Sequence, residues 1–239
     1  HRTEEFEAIF KNTRELLIEI YDMPEVVMLA SSGTGAMEAC VTNLTHKKAL
    51  TINSGKFGER FGKICAAFGI DYTEIRNEWN TPVSVEAVVE AIKADSSIDA
   101  VFIQICESAG GLRHPVEQIA AEVKKINKDI TIVADGITAI GVEKIDTTNL
   151  DAVITGSQKA LMLPPGLAMI GLSTAAVAKI ESKPKGYYFN LATEIKKQRT
   201  NTTAWTAATT LIIGLGAILE KLKADGFDNL YKQTALRAN

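Results

Sequence analysis

The chain has 239 residues, of which 46% are hydrophobic and 23% charged, the balance of an ordinary soluble globular protein. Its formal net charge of −3 gives no basis for binding nucleic acid or an anionic membrane surface. No apolar run reaches the ~18 residues of a membrane span, and the N-terminal segment lacks the apolar stretch of a signal peptide. Three cysteines in apolar segments fit reduced thiols, so we expect a cytoplasmic protein.

The N-terminal part of the chain predicts a helix, a strand and a polar turn. Apolar residues recur at helical spacing over Glu4–Tyr21, and Val26–Ala30 is a short apolar run typical of a strand. The turn Ser31–Gly35 then leads into a segment that favours helix. A strand, a glycine turn and a helix start direct several backbone N–H groups at one point, which suits a phosphate. The same residues fit a plain tight turn, and Glu38 at the third glycine position weakens a dinucleotide fingerprint.

Strands and amphipathic helices alternate along the rest of the chain. Apolar spacings of i, i+3, i+4 and i+7 predict helices over Val85–Ile92 and Val116–Ile126, with Pro115 in the first turn of the second. A long apolar helix is predicted from Thr206 to Leu222. The alternation predicts a three-layer α/β/α sandwich around a mixed, mainly parallel sheet. Its further strands are expected at Ala49–Ile52, Tyr72–Ile75, Ala100–Ile105, Ile130–Ala134, Ala152–Ile154 and Leu167–Leu172.

Three side chains at strand ends are candidates for a functional site. Asp135 follows a continuous β-branched run, where a carboxylate either caps the next element or serves a ligand at the carboxyl end of the strand. Phe57 follows another strand and either stacks on a planar ring or packs the next helix against the core. Ser108 precedes two glycines and is, by itself, a typical turn residue.

Lys159 lies between the strand Ala152–Ile154 and the rigid turn Pro164–Gly166. A solvated surface position is the ordinary expectation for a lysine. The apolar flanks on both sides instead predict a desolvated amine, which loses its proton more easily and becomes the nucleophile that a Schiff base requires. One strand–helix excursion separates Asp135 from Lys159, so we expect them to meet at neighbouring strand ends.

The segment Thr155–Leu161, followed by Pro164–Gly166, resembles the cofactor-lysine motif of class V pyridoxal-phosphate enzymes. Within that class it is most similar to the alanine–glyoxylate and serine–pyruvate aminotransferases. The resemblance spans nearly the whole chain and implies the large domain of a fold-type I enzyme. It further implies that pyridoxal 5'-phosphate forms a Schiff base with Lys159 and that alanine or serine is transaminated with glyoxylate or pyruvate. Residues 1–239 are then the cofactor domain, without the family's N-terminal arm and its C-terminal small domain, which supplies the arginine for the substrate carboxylate.

The resemblance also assigns a role to each matching residue. Lys159 and Asp135 are the catalytic pair, and Asp135 holds the proton on the ring nitrogen of the cofactor. Thr203 and Thr206 lie in a loop that, in the family, reaches the cofactor of a neighbouring subunit, which implies a homodimer with sites completed in trans. The same threonines fit a cap for the following helix equally well. The implied cofactor-binding residues are Ser32, Gly33, Thr34, Phe57, Ser108, Asp135, Gln158, Lys159, Thr203 and Thr206.

Several alternatives stay open at this point. The cysteine desulfurases place histidines where Gln158 and Phe57 stand, yet a desulfurase-like lyase and a 2-aminoethylphosphonate transaminase belong to the same superfamily. From a different class, Gly33 and Gly35 fit a nucleotide-binding module, which leaves the strand-end aspartate and the lysine without a role. No set of histidines and cysteines has metal-ligand spacing, so no metal site is predicted.

Overall fold

The computed structural model describes residues 2–238 as one seven-stranded sheet, a short two-stranded hairpin and helices on both faces of the sheet. The strands are β1 (Glu25–Leu29), β2 (Lys48–Asn53), β3 (Tyr72–Arg76), β4 (Ile98–Gln104), β5 (Cys106–Glu107), β6 (Leu112–Arg113), β7 (Thr131–Asp135), β8 (Ala152–Gly156) and β9 (Ala168–Leu172). The helices are α1 (Glu4–Tyr21), α2 (Gly33–Leu44), α3 (Gly58–Ala67), α4 (Val85–Ala94), α5 (Val116–Ile126), α6 (Thr174–Ser182), α7 (Leu191–Gln198), α8 (Thr209–Asp225) and α9 (Phe227–Ala238).

The sheet has the order β1-β9-β8-β7-β4-β2-β3. The strands from β8 to β3 are parallel, whereas β9 is antiparallel to both of its neighbours, β8 and β1. Because β9 reverses the direction, β1 points the same way as the parallel strands. The carboxyl ends of β1, β2, β4, β7 and β8 therefore lie at one edge of the sheet, the carboxyl edge, and their amino ends lie at the opposite amino edge.

Each face of the sheet is covered by its own layer of helices. One layer consists of α1, α4, α5 and α8 and buries side chains such as Phe10 and Ile119. The other consists of α2, α3, α6 and α7 and buries side chains such as Cys40 and Phe61. The strand residues alternate between these two cores, as the pleat of a sheet covered on both faces requires. The predicted three-layer α/β/α sandwich with a mainly parallel mixed sheet is thus confirmed.

Most of the predicted elements are present, with ends shifted by one to three residues. The first helix coincides with the predicted Glu4–Tyr21. The long helix near the C-terminus begins at Thr209 rather than at Thr206. Pro115 is the N-cap residue of α5 and lies just before the first turn, not in it. The hairpin and helices α6 and α7 were absent from the prediction because such short elements offer too few apolar positions to define a period.

A side chain from α7 contacts the edge strand β1. Gln198 is fully buried, and its amide nitrogen Nε2 donates to the carbonyl oxygen of Met28 at 2.7 Å. Its oxygen Oε1 accepts the backbone N–H of Met28 at 2.9 Å. The amide of Gln198 therefore bonds to both backbone groups of one residue, as a neighbouring strand would.

The state of the cysteines and the length of the apolar helices relate to the environment in which the protein works. Cys40, Cys65 and Cys106 are free thiols; the first two are buried, and burial raises the pKa of Cys65 to about 12. No helix within residues 2–238 is long and apolar enough to cross a membrane.

Candidate active site

The carboxyl edge brings together most of the residues that the sequence singles out. The parallel register pairs Gln104 with Asp135 and Asp135 with Ile154, so Asp135 lies between the ends of β4 and β8. The turn that carries Lys159 follows β8 directly, and the segment that carries Phe57 follows β2. This edge is where open α/β sheets bind their ligands.

Asp135 is a buried carboxylate without a cationic partner. Only 4% of the residue is exposed, and its Oδ1 accepts the backbone N–H of Ile137 at 3.0 Å. It forms no ion pair within residues 2–238. Burial raises the pKa of Asp135 to about 6. The N–H of Ile137 and the charges of Arg60 and Lys159 act in the opposite direction and lower this pKa, whereas the charge of Glu107 raises it further. A cationic or protonated group of a ligand beside Asp135 would relieve this cost.

Lys159 lies in a turn that Ser157 closes. The hydroxyl of Ser157, itself fully buried, donates to the carbonyl oxygen of Pro164 at 2.7 Å and accepts the N–H of Leu167 at 3.3 Å. Lys159 itself is exposed, so the prediction that its apolar flanks desolvate it is wrong for the chain described here. The flanking apolar residue Leu161 turns into the core and leaves Lys159 in the outer part of the turn. The charge of Lys159 nevertheless acts on Asp135, because the two residues lie at adjacent strand ends.

The turn before α2 and the side chain of Gln158 meet at Ile137. The N-cap residue Ser32 makes no side-chain cap, and the N–H groups of Gly33 and Thr34 have no acceptor within residues 2–238. A Cβ atom on Gly33 would lie 2.4 Å from Cδ1 of Ile137, so a larger residue here would require the side chain of Ile137 to move. The Oε1 atom of Gln158 is buried and has no hydrogen-bond partner in the described chain. The free helix N–H groups suit an anionic ligand, whereas the unpartnered Oε1 of Gln158 is an acceptor and needs a donor.

Phe57 and Arg60 connect this turn to the segment after β2. The guanidinium of Arg60 lies over the ring of Phe57, 4.9 Å from its centroid, and Nη1 donates to the hydroxyl of Thr34 at 2.7 Å. Phe57 is half-buried and belongs to neither core cluster of the described residues, so its ring does not pack α3 against the core. The guanidinium of Arg60 therefore covers one face of the ring.

Glu107 is a site residue that the sequence did not indicate. It is fully buried, and its Oε2 accepts the N–H groups of Phe57 at 2.9 Å and Gly58 at 2.8 Å. Its Oε1 accepts the N–H of Ala109 at 3.2 Å. Ser108 lies next to it in the exposed turn of the β5–β6 hairpin and makes no side-chain hydrogen bond within residues 2–238. A charged residue directly after an apolar strand was the available signal for Glu107.

Thr203 and Thr206 share a cavity with Leu29 and Ala30 at the carboxyl end of β1. This small cavity is also lined by Leu167, Tyr188 and Trp205, and the threonines lie in a loop before α8. The hydroxyl of Thr203 donates to the carbonyl oxygen of Trp205, and the indole N–H of Trp205 donates to the carbonyl oxygen of Tyr188 at 2.9 Å. The alternative that the threonines cap α8 is wrong, because its N-cap residue is Ala208 and no side chain caps it. No cluster of three or more metal-binding side chains occurs within residues 2–238.

This fold and edge define a class of protein: a fold-type I, pyridoxal-phosphate-dependent transferase. The sequence matches the model of the family "Aminotransferase class-V" over residues 1–238, and the chain belongs to this family. Its cofactor is pyridoxal phosphate. The family match favours an enzyme over a nucleotide-binding module.

Three similar proteins illustrate the relationship. An uncharacterized aminotransferase of Helicobacter pylori is 49% identical over 235 residues, which cover 98% of this chain and 64% of that protein. The crystal structure of an aspartate aminotransferase of subgroup IV from Thermus thermophilus superposes with a TM-score of 0.90 at 32% identity, covering 97% of this chain and 66% of the other. A serine–glyoxylate aminotransferase of Methylorubrum extorquens is 27% identical over 250 residues, 99% of this chain and 62% of its own length. The chain thus spans about two thirds of the length of these relatives.

Proposed function

We propose that the protein transfers the amino group of a small amino acid, alanine or serine, to a 2-oxo acid such as glyoxylate or pyruvate. The observation that carries this proposal is Asp135, a buried carboxylate without a cationic partner at the same sheet edge as Lys159. Residues 1–239 are proposed to form the cofactor-binding domain of this enzyme.

The residues at the carboxyl edge fit pyridoxal phosphate. Ser32, Gly33 and Thr34 are proposed to bind its phosphate through the free N–H groups of α2, and Gln158 is proposed to donate to it through its amide nitrogen Nε2. Phe57 is proposed to stack on the pyridine ring. Ser108, in the adjacent hairpin turn, is proposed to contact the cofactor near the lysine.

The bound cofactor supplies an electron sink for the α-carbon of the substrate. Asp135 is proposed to hold the proton of the ring nitrogen: with a pKa of about 6 it is mainly ionised at neutral pH, and its charge favours the protonated nitrogen. The amine of Lys159 is proposed to hold the cofactor and then to move a proton to or from the α-carbon of the substrate.

The substitution Lys159→Ala tests this proposal. The full-length protein should bind pyridoxal phosphate and absorb in the visible range, and the variant should lose that absorbance together with turnover, by roughly a hundredfold or more. Lys47→Ala, at an exposed lysine of the amino edge, is the matched control and should behave as the unsubstituted protein. A Lys159→Ala variant that still transaminates would refute this role of the lysine.

The substrates need a separate assay. The Thermus relative is named for aspartate and the Methylorubrum relative for serine and glyoxylate, so the panel includes alanine, serine and aspartate with glyoxylate or pyruvate. Aminoethylphosphonate and cysteine cover the alternatives of a 2-aminoethylphosphonate transaminase and a desulfurase-like lyase. The donor with the highest kcat/KM identifies the reaction, and release of sulfide from cysteine would identify a lyase.

We also propose that the enzyme is a homodimer whose sites are completed in trans by Thr203 and Thr206. The support is that Thr206 is exposed in a loop beyond every strand of the sheet, and that α8 keeps the apolar Ile213 44% exposed. Sedimentation of the full-length protein should give a dimer, and Thr206→Val should weaken cofactor binding without changing the sedimentation coefficient. A fully active monomer would contradict completion in trans.

A cytoplasmic location belongs to the same proposal. It is supported by the three free thiols, which fit a reducing compartment. Fractionation of the source cells should recover the aminotransferase activity with cytoplasmic marker enzymes.

A further inference from the structure

The strongest feature outside the assigned residues is the carboxylate of Glu107. It is fully buried, and within residues 2–238 it has no lysine or arginine partner. A buried charge of this kind is costly unless hydrogen bonds compensate it. Three backbone N–H groups do so, two from the segment that carries Phe57 and one from its own hairpin. The bonds to that segment join residues about 50 positions apart in the chain.

These contacts fix the backbone from which the ring of Phe57 projects. Glu107 binds the N–H of Phe57, and the amide nitrogen of Gln104 donates to the carbonyl oxygen of the same residue at 3.1 Å. Both backbone groups of Phe57 are thus held by buried side chains. Gly55 lies so close that a Cβ atom there would be 2.6 Å from Cγ of Glu107, so the segment packs directly on the carboxylate.

We propose that Glu107 is a positioning residue that sets the plane of the Phe57 ring against the cofactor. This inference rests on the proposed function, because it requires that Phe57 contacts pyridoxal phosphate. Arg60 covers one face of the ring, so a planar ligand that stacks on Phe57 would use the opposite face, and a rotation of the Phe57 backbone would tilt that face away from it. Only a group with acceptors on both oxygens satisfies all three N–H donors, which is why a carboxylate stands here.

Glutamine is the sharpest substitution for Glu107. It keeps the shape but turns one acceptor oxygen into an NH₂ donor, so at least one backbone N–H loses its acceptor. In the full-length protein, Glu107→Gln should raise the Kd for pyridoxal phosphate about tenfold. It should also change the visible circular dichroism of the bound cofactor, which depends on the orientation of its ring and does not respond to fold stability alone.

A double-mutant cycle tests whether Glu107 acts through Phe57. Phe57→Leu removes the ring, and adding Glu107→Gln to it should cause no further loss of affinity. If the two losses multiply, Glu107 does not act through the ring and the inference is overturned. An unchanged Kd in Glu107→Gln, with a raised Kd in Phe57→Leu, overturns the inference alone. An unchanged Kd in Phe57→Leu overturns the proposed role of Phe57 and the inference with it.

Two further variants guard against a simple loss of folding. Gly55→Ala pushes on the side chain of Glu107 without altering any charge, and it should raise the Kd and change the dichroism in the same direction. Asp151→Asn, at a buried carboxylate of the amino edge that also accepts a backbone N–H, should lower the melting temperature and leave the Kd unchanged. Equal Kd values in Gly55→Ala and the unsubstituted protein would count against the inference even if Glu107→Gln does not fold.

Discussion

The carboxylates at the two edges of the sheet differ in whether a lysine pairs with them. At the amino edge, Asp151 accepts from Lys124 at 2.6 Å, from the N–H of Ile132 at 2.8 Å and from the hydroxyl of Ser173 at 2.9 Å. Asp99 pairs with Lys179 at 3.0 Å and accepts two further N–H groups from the segment before β2. Burial opposes the charge of Asp99, but the lysine and these N–H groups outweigh it and lower its pKa.

At the carboxyl edge, Asp135 and Glu107 form no ion pair within residues 2–238, although three backbone N–H groups bind Glu107. The pKa of Asp135 is raised as well. Carboxylates that are paired with lysines at one edge favour a structural role there, and a buried carboxylate without a cation at the other edge favours a role in binding a ligand. Substitutions at the two edges should therefore have opposite effects on stability.

Asp151→Asn should produce the largest change. The substitution leaves the mostly buried ammonium of Lys124 without a carboxylate, with only the carbonyl oxygens of Lys128 and Ile130 as acceptors. Breaking such a pair should lower the free energy of unfolding by about 3 to 5 kcal/mol. Urea denaturation measures the loss. Asp129→Asn, at an exposed neighbouring carboxylate, should change stability by less than ~0.5 kcal/mol. Equal stability of the two variants would contradict a structural role for the paired carboxylate at the amino edge.

Asp135→Asn should raise the free energy of unfolding, whereas Asp151→Asn lowers it. The pKa of Asp135 rises from 3.8 to about 6 on folding, because burial disfavours the ionised form. The folded state therefore has the full stabilisation of the protonated carboxyl below pH 3.8 and loses it as the pH rises through about 6. At pH 8 the ionised group therefore destabilises the cofactor-free protein by about 3 kcal/mol, and the neutral amide should recover this amount while weakening cofactor binding. Denaturation at pH 8 and at pH 4 measures it; a gain of the same size at pH 4 would contradict the assigned cause.

Arg60→Leu should change the stability less than Asp135→Asn does, and it should act through the carboxylate of Asp135. Removal of the guanidinium takes away a charge that lowers the pKa of Asp135, so that pKa should rise above about 6. The contact with the ring of Phe57 is lost as well, at a cost of about 1 kcal/mol. The pH dependence of unfolding should shift to higher pH in Arg60→Leu and stay in place in Arg60→Lys, which keeps the charge.

Substitutions of the two loop threonines, Thr203→Val and Thr206→Val, should have the smallest effects. The hydroxyl of Thr203 bonds to the carbonyl oxygen of Trp205 within the same loop, and the loss of that bond should lower the free energy of unfolding by about 1 kcal/mol. Thr206→Val should leave the stability unchanged, because the structure gives the hydroxyl of Thr206 no bond within residues 2–238. Thermal melting of both variants distinguishes a loop whose hydroxyl groups bond to its own residues from a loop whose hydroxyl groups need a ligand.

Local patterns predicted the fold and part of the site. The helical spacing of apolar residues in α1 and the β-branched run before Asp135 each lie within a continuous stretch of sequence, so both can be recognised from the sequence. Glu107 was missed because its partners, Phe57 and Gly58, are about 50 positions away and are brought near only by the order of β2 and β4 in the sheet. The exposure of Lys159 was misjudged because apolar neighbours in a turn bury themselves and need not bury the residue between them.

The amide of Gln198 on strand β1 also affects how copies of the protein meet during folding and at high concentration. An edge strand presents free N–H and C=O groups to which a strand of another molecule can add, which is a route to aggregation. Gln198 occupies both backbone groups of Met28 on the open side of β1. The side chain thus blocks strand addition near the carboxyl end of β1, and helix α7, which carries it, covers this edge strand of the sheet.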